Sequence, residues 1–269
     1  MQYRETAPLP ALAFAVDCVW TLEGEAAPDA AADAVLPDGR PELVLHFGDP
    51  FTLASTAGHG VDQPAMLFAG QLHSQILLRP TGRIAIVGIR FHPHGAAALL
   101  RIPQDQLSGT PLALDAVDPR LRNALAAIDG SGLDTAASAA QHVLASWLVR
   151  DRIDPRVAHA VRLVSRSRGR LPIDRIAAEA CLTTRHLERR FLQQVGLTPK
   201  RLARIARFQH ALHLLDHPGR APRGADAAAE CGYADQAHFV RDFKSLAGCP
   251  PSQHLLRRAE MTRVFIRGE

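Results

Sequence analysis

Gly232-Tyr-Ala-Asp-Gln-Ala-His-Phe-Val-Arg-Asp-Phe-Lys-Ser-Leu-Ala-Gly248, followed at once by Cys249-Pro250-Pro251, decides how this chain is read. Gly232 supplies the positive-φ freedom a tight turn needs, and Asp235 is a good helix N-cap. Phe239, Phe243 and Ala247 recur at i, i+4 and i+8 on one face, with His238, Arg241 and Lys244 on others. Gly248 and the proline pair then stop the helix. A tight turn feeding a helix with basic residues off its buried face suits a reader of the DNA major groove.

The arrangement occurs a second time upstream. The segment 173–196 reads as a helix, a turn and a second helix carrying Leu187, Phe191 and Val195 at the same spacing. Arg201 to Leu215 then forms a long amphipathic helix. Two patterns stand out: Arg185-x-Leu187-x-Arg189-x-Phe191…Gly196-x-x-Pro199, and Gly232-Tyr233-x-Asp235-Gln236-x-His238-Phe239-x-Arg241-x-Phe243-Lys244…Gly248-x-x-Pro251. Two such units joined by a helix resemble the DNA-binding domain of the AraC/XylS family of transcriptional regulators. The resemblance covers roughly residues 154–258, and so many fixed spacings rarely coincide by accident.

Charge supports a division of the chain. Residues 1–150 hold 9 Lys+Arg against 15 Asp+Glu, net −6, and residues 151–269 hold 22 against 12, net +10. A basic half joined to an acidic half points to one nucleic-acid-binding domain and one domain that is not. The cations are nearly all Arg, which favours bidentate contacts to phosphate and guanine. No apolar run reaches the ~20 residues of a membrane span, and no signal peptide opens the chain, so a cytoplasmic protein is expected. Cys18, Cys181, Cys231 and Cys249 lack C-x-x-C spacing and read as reduced thiols.

In the acidic half, segments 17–22, 42–47 and 84–91 read as strands and 36–41 as a turn, which suggests a small β-barrel or sandwich. The wording Leu36-Pro-Asp-Gly39…Glu42-Leu-Val-Leu-x-Phe-Gly-Asp49, then Gly88-Ile-Arg-Phe-x-Pro-x-Gly-Ala-Ala-Ala-Leu-Leu100, is similar to the amino-terminal domain of one subgroup of these regulators, cupin-like in other branches. A helix starts near Gly95, and residues 119–150 form two helices broken at Asp129-Gly-Ser-Gly132; such helices either link and dimerise domains or cap the β-domain. The segment 157–164 reads as the first helix of the basic half, Arg166–Arg170 as a loop, and Thr262–Glu269 as a loosely docked tail. The expected fold is α+β: a β-rich, cupin-like effector or dimerisation domain (1–115), a helical connector (116–152), and an all-α double helix-turn-helix domain (153–269).

The resemblance places base contacts at Arg185, Glu188 and Arg189 in the first unit, and at Ala237, His238 and Arg241 in the second. Arg suits guanine O6/N7, Glu accepts from cytosine N4, and Ala offers only a thymine methyl contact. His238 reads equally as a base contact, a phosphate contact or packing for the turn. Thr183, Thr184, Lys200, Arg204, Arg207 and Lys244 are candidate phosphate contacts, which position without specifying sequence. For each of these alone, a solvated surface role is as good a reading. If the strands face inward there, Trp20, Arg40, Glu42 and Arg90 line an effector pocket, a reading from residue type alone; for any one of them a surface or core role is the better reading.

Two departures from the family pattern matter. Cys181 stands where a turn glycine is usual, which implies a turn that is either strained or differently shaped. The helix before the second recognition helix, Gly224-Ala-Asp-Ala-Ala-Ala-Glu230, is small where larger aliphatics are usual, so it buries less apolar area. His46, His59, His73, His92 and His94 raise the question of a metal. His92-x-His94 has strand spacing for two ligands on one side, but Pro93 and Gly95 read better as a turn. No catalytic residue, metal or cofactor is therefore assigned.

The function implied is that of a DNA-binding transcription regulator, usually an activator that recruits RNA polymerase, with repression left open. A small-molecule effector and a homodimer are possible partners. The alternative is a metal-dependent cupin-like enzyme fused to a DNA-binding module.

Overall fold

The computed structural model describes residues 1–27, 30–54, 60–216 and 225–256. His59, Gly224 and the 262–269 tail lie outside the described residues. The amino-terminal half carries β1 (Gln2–Thr6), β2 (Val16–Glu25), β3 (Asp33–Val35), β4 (Glu42–His46), β5 (Thr52–Leu53), β6 (Val61–Asp62), β7 (Met66–Ala69), β8 (Ile76–Arg79), β9 (Arg83–Phe91) and β10 (Leu112–Ala113). They form two antiparallel sheets, ordered β1-β2-β9-β4-β7-β10 and β3-β8-β5-β6.

The centre of the six-stranded sheet is buried on both faces, which is why β9 is apolar on both sides from Ile84 to Ile89. Ile84 and Ile86 point, with Trp20, Leu22 and Val44, toward the second sheet. Ala85, Val87, Ile89 and Phe91 point the other way, into a core shared with helices. Those helices are α1 (Ala96–Leu99), α2 (Leu114–Val117), α3 (Pro119–Ala126) and α4 (Leu133–Trp147). Leu121, Leu125, Leu133, Ala136, Ala140 and Leu144 supply the helical side of that core. Asp118 caps α3 by accepting from the Arg120 and Leu121 amides. Gly88 has a packing reason: the Trp20 indole crosses it so closely that a Cβ there would lie 1.9 Å from Trp20 Cε2.

Among the described residues the basic half carries helices and no strand: α5 (Pro155–Arg166), α6 (Ile173–Glu179), α7 (Thr184–Val195), α8 (Pro199–Asp216), α9 (Ala225–Glu230), α10 (Gln236–Ala247) and α11 (Pro251–Leu256). The Pro250-Pro251 pair, read from sequence only as a stop, also starts α11, because proline fits the first helical turn. Packing around the small α9 is taken over by aromatics: Tyr233–Phe239, Phe239–Phe243 and Phe208–Phe243 ring centroids lie 5.3, 5.9 and 5.1 Å apart. Both helix-turn-helix units, with α8 between them, share one continuous core.

The β-domain is seated directly on this helical core. Leu36, from the loop after β3, is a buried member of the helical cluster. Gln209 of α8 donates to the Pro37 carbonyl at 2.7 Å. Ser108 Oγ donates to the Gly196 carbonyl at 3.1 Å, and the Gln75 amide donates to the Leu246 carbonyl at 2.8 Å. The β-domain therefore touches the C-terminal ends of both α7 and α10.

Two buried histidines make folding pH-dependent. Burial lowers the His46 pKa to about 4, against a partly offsetting bond from Gln63. His94 falls to about 4 through burial first, then the neighbouring His92 and Arg162. In the unfolded chain both titrate near the ordinary histidine value of 6.5. The unfolded state thus binds more protons between pH 6.5 and 4, so stability falls as pH drops through that window and levels off below it. Denaturant unfolding at pH 7.5 and pH 5.0 should show a loss of roughly 1–2 kcal/mol per histidine. His94→Asn should shrink that loss by about one residue's share, and an equal loss in the variant would contradict this account.

Candidate nucleic-acid interface

The first helix-turn-helix unit is built from α6, its turn and α7. The turn places Cys181 at φ +53°, the strained left-handed conformation, one of the two alternatives that the missing glycine implied. Thr183 then caps α7, its hydroxyl accepting from the His186 amide at 3.3 Å. Leu187, Phe191 and Val195 are fully buried. A second side of α7 is locked to α5. Arg190 Nη1 meets Asp154 Oδ2 at 2.6 Å, and Gln194 binds the Asp154 amide and the Arg152 carbonyl at 3.0 and 2.9 Å. Burial pushes the Asp154 carboxyl upward, but hydrogen bonds from Arg156 and the charges of Arg156 and Arg190 outweigh it and hold it below its usual range.

That leaves one free side, and it carries the expected base readers. Arg185, Glu188 and Arg189 are exposed, and none makes an ion pair among the described residues. An arginine face without carboxylate partners is poor for an isolated helix and suited to an anionic partner. Thr184 and Lys200 are exposed nearby in the chain, while the Thr183 hydroxyl is already used as the cap.

The second unit repeats the construction. Gly232 takes φ +76° in the turn, and Asp235 accepts from the His238 amide at 2.7 Å. Phe239, Phe243, Leu246 and Ala247 face the core. Ala237, Arg241 and Lys244 are exposed. His238 is half-exposed, edge-on to Tyr233 at 5.3 Å and 3.9 Å from Asp242. Two of the candidate phosphate contacts are engaged inside the domain. Arg204 pairs with Asp242 at 3.0 Å and reaches Ser245, and Arg207 donates to the Gly169 carbonyl at 2.8 Å and lies over the Tyr233 ring.

The four effector-pocket candidates come together in the β-domain. Trp20 Nε1 donates to Glu42 Oε1 at 3.2 Å, and Arg90 Nε donates to the same oxygen at 2.7 Å. With Arg40, they line a cavity of about 80 Å³ between the sheets. Arg40 is also paired with Asp17 at 3.2 Å. His92 and His94 sit beyond the end of β9, in the turn before α1, with stacked rings. Among the described residues, no group of three or more His, Cys, Asp or Glu side chains is placed to hold a metal. No helix among them is long and apolar enough to cross a membrane.

Residues 176–257 match the family model of a helix-turn-helix domain. The matched span takes in both helix-turn-helix units of the basic half. Residues 4–112 match a family described as a domain of unknown function (DUF6597). The HTH-type transcriptional activator RhaS of Klebsiella pneumoniae (strain 342) is 38% identical over 71 residues, 26% of this chain and 25% of that protein. The HTH-type transcriptional activator RhaR of Escherichia coli (strain K12) is 33% identical over 92 residues, 34% of this chain and 32% of that protein. The match thus spans about a quarter to a third of the length of these relatives. A solved structure of ToxT from Vibrio cholerae aligns over 88% of this chain and 98% of that one, with TM-score 0.48 and 13% identity.

Sequence reasoning did not find the seam contacts of this helix-turn-helix domain: Leu36, Gln75, Ser108 and Gln209 lie far from their partners in sequence. The Asp154-Pro155 pair did carry a signal, a cap followed by proline in the first turn.

The strain at Cys181 yields a test. Its side chain is exposed, so removing it forfeits little packing. Left-handed geometry costs a non-glycine residue about 1–2 kcal/mol, partly offset by the chain entropy that glycine loses on folding. Cys181→Gly should stabilise the domain by up to ~1 kcal/mol in thermal or denaturant unfolding, and Cys181→Val should destabilise it. A glycine variant less stable than wild type would contradict the assigned strain.

Proposed function

We propose that this chain is a sequence-specific, cytoplasmic DNA-binding transcription regulator, most simply an activator, and not an enzyme. One observation carries the reading. Two capped helices, α7 and α10, each bury one face in a common core and present exposed cations on another, Arg185 and Arg189 from α7 and Arg241 and Lys244 from α10. The base contacts are Arg185, Glu188 and Arg189 from α7, and Ala237, His238 and Arg241 from α10. The helices enter successive major grooves on one side of the duplex, about 34 Å apart. Thr184, Lys200 and Lys244 meet phosphate. Arg204 and Arg207 hold the domain together and contribute to phosphate contact only through their outward edges.

The β-domain is the regulatory part in this reading, as effector sensor, dimerisation module or both, with RNA polymerase as the downstream partner. Its inter-sheet cavity is too small for a drug-sized molecule, so an effector larger than a few waters requires the sheets to part there.

The test is affinity for a duplex enriched from a random-sequence library, measured across a salt series. Wild-type affinity should fall steeply with salt as counterions are released. Arg185→Ala/Arg189→Ala/Arg241→Ala should lose at least ~100-fold in specific affinity, since each base contact discriminates by about 1–3 kcal/mol. Unchanged sequence-specific binding by a folded triple variant would contradict the assignment.

A further inference from the structure

A second cavity, larger than the one between the sheets, lies outside the inter-sheet space. It is a cleft of about 920 Å³ along the seam between the β-domain and the α5/α8 side of the helical domain. That size falls within the usual range for organic ligands. Phe14 and Pro93 line it from the β-domain, and Ile153, Val161, Leu202 and Ala206 from the helical side, so much of its wall is apolar.

Its charges do not cancel. Arg40, Arg150, Arg162 and Arg166 face Asp17, Asp38 and Asp151. Asp17 is already engaged by Arg40 at 3.2 Å and His92 at 3.5 Å, and Asp38 lies 3.9 Å from the buried Arg90. Arg150 is stacked 4.1 Å above the Phe14 ring, which holds its guanidinium over the cleft. Arg162 and Arg166 stand one turn apart on α5, exposed and without a carboxylate partner among the described residues. His94 lies in the wall, 7% exposed, and its Nδ1 lacks a hydrogen-bond partner among the described residues. A guanidinium pair at i and i+4 beside an apolar wall fits a planar or tetrahedral acid group carrying a hydrophobic body.

We propose that this cleft binds an organic anion with an apolar body, its carboxylate or phosphate held by Arg162 and Arg166 and its body lying against Phe14, Pro93 and Val161. The cleft meets the inter-sheet cavity at Asp38 and Arg40 and takes residues from both domains. A bound ligand therefore favours the arrangement of the domains in which the cleft is formed, and it stabilises whichever placement of the recognition helices accompanies that arrangement.

Binding is measured directly, without DNA, so its outcome is independent of the DNA-reading assignment. The full chain is titrated calorimetrically with 3-phenylpropionate and with phenyl phosphate, beside 3-phenylpropanol and acetate. One or both aromatic anions should bind, at least tenfold more tightly than the neutral alcohol or acetate. Arg162→Gln/Arg166→Gln should weaken that binding at least tenfold, because two charge-assisted contacts are lost. Phe14→Ala, a change in the apolar wall alone, should weaken the aromatic anions and leave acetate unchanged. Far-ultraviolet circular dichroism and the unfolding midpoint check that both variants fold. The proposal is overturned if neither aromatic anion binds below 10 mM, if the alcohol binds as well, or if the folded double-arginine variant binds undiminished.

Discussion

Arg90 is a guanidinium sealed inside a β-sheet, with its side chain only 4% exposed, and much of the structure follows from satisfying it. Burial works against the charge, but Glu42 and Asp38 hold the proton on. Glu42 on β4 binds it at 2.7 Å, Glu5 on β1 at 2.9 Å, and Asp38 approaches to 3.9 Å. An ion pair at this depth is a weak source of net stability. Breaking it is expensive, about 3–5 kcal/mol, because a charge is left without a partner. The cluster therefore fixes where the edge strand and the 36–41 loop sit.

That loop connects the two halves of the molecule. Its Leu36 enters the helical core and its Pro37 carbonyl accepts from Gln209. Gly39 lies so close to Leu202 that a Cβ there would meet Leu202 Cδ1 at 2.8 Å, and its carbonyl accepts from the buried Gln71 at 2.9 Å. Ser108 and Gln75 complete the seam at the ends of α7 and α10. The β-domain thus holds α7 and α10 by their C-terminal ends and leaves Arg185, Arg189 and Arg241 exposed. A shift of the β-domain would act on the spacing between the helices, the variable to which a two-groove reader responds most.

The helical half was readable in the sequence because its signals are local. The cap at Asp235, the stop at Gly248 and a 3.6-residue apolar period all act within a few residues, whereas Thr183, expected at phosphate, proved to be the cap of α7. Cys181 was readable as a strained or altered turn because its signal is local too. The β-half was readable only where strands are long: β2, β4 and β9 stand out, whereas the two-residue β5, β6 and β10 carry too few side chains to show a pattern. β1 is an edge strand whose half-exposed alternation, Gln2-Tyr-Arg-Glu-Thr6, carries no apolar signal. Trp20, Arg40, Glu42 and Arg90 were named from residue type alone; the bonds that join Trp20 and Arg90 to Glu42 carry no sequence signal, because they link separate strands. The seam could not be read from the sequence, because hydrogen bonds such as Gln209 to Pro37 join positions 172 residues apart.

Methylation interference on a bound duplex measures the central claim, that two helices of one chain read two grooves, most directly. Guanine N7 lies in the major groove, where Arg185, Arg189 and Arg241 are assigned. The account predicts two clusters of interfering guanines on one face of the duplex, one helical turn or about 10–10.5 base pairs apart. A single cluster, or interference confined to adenine N3 in the minor groove, would contradict it.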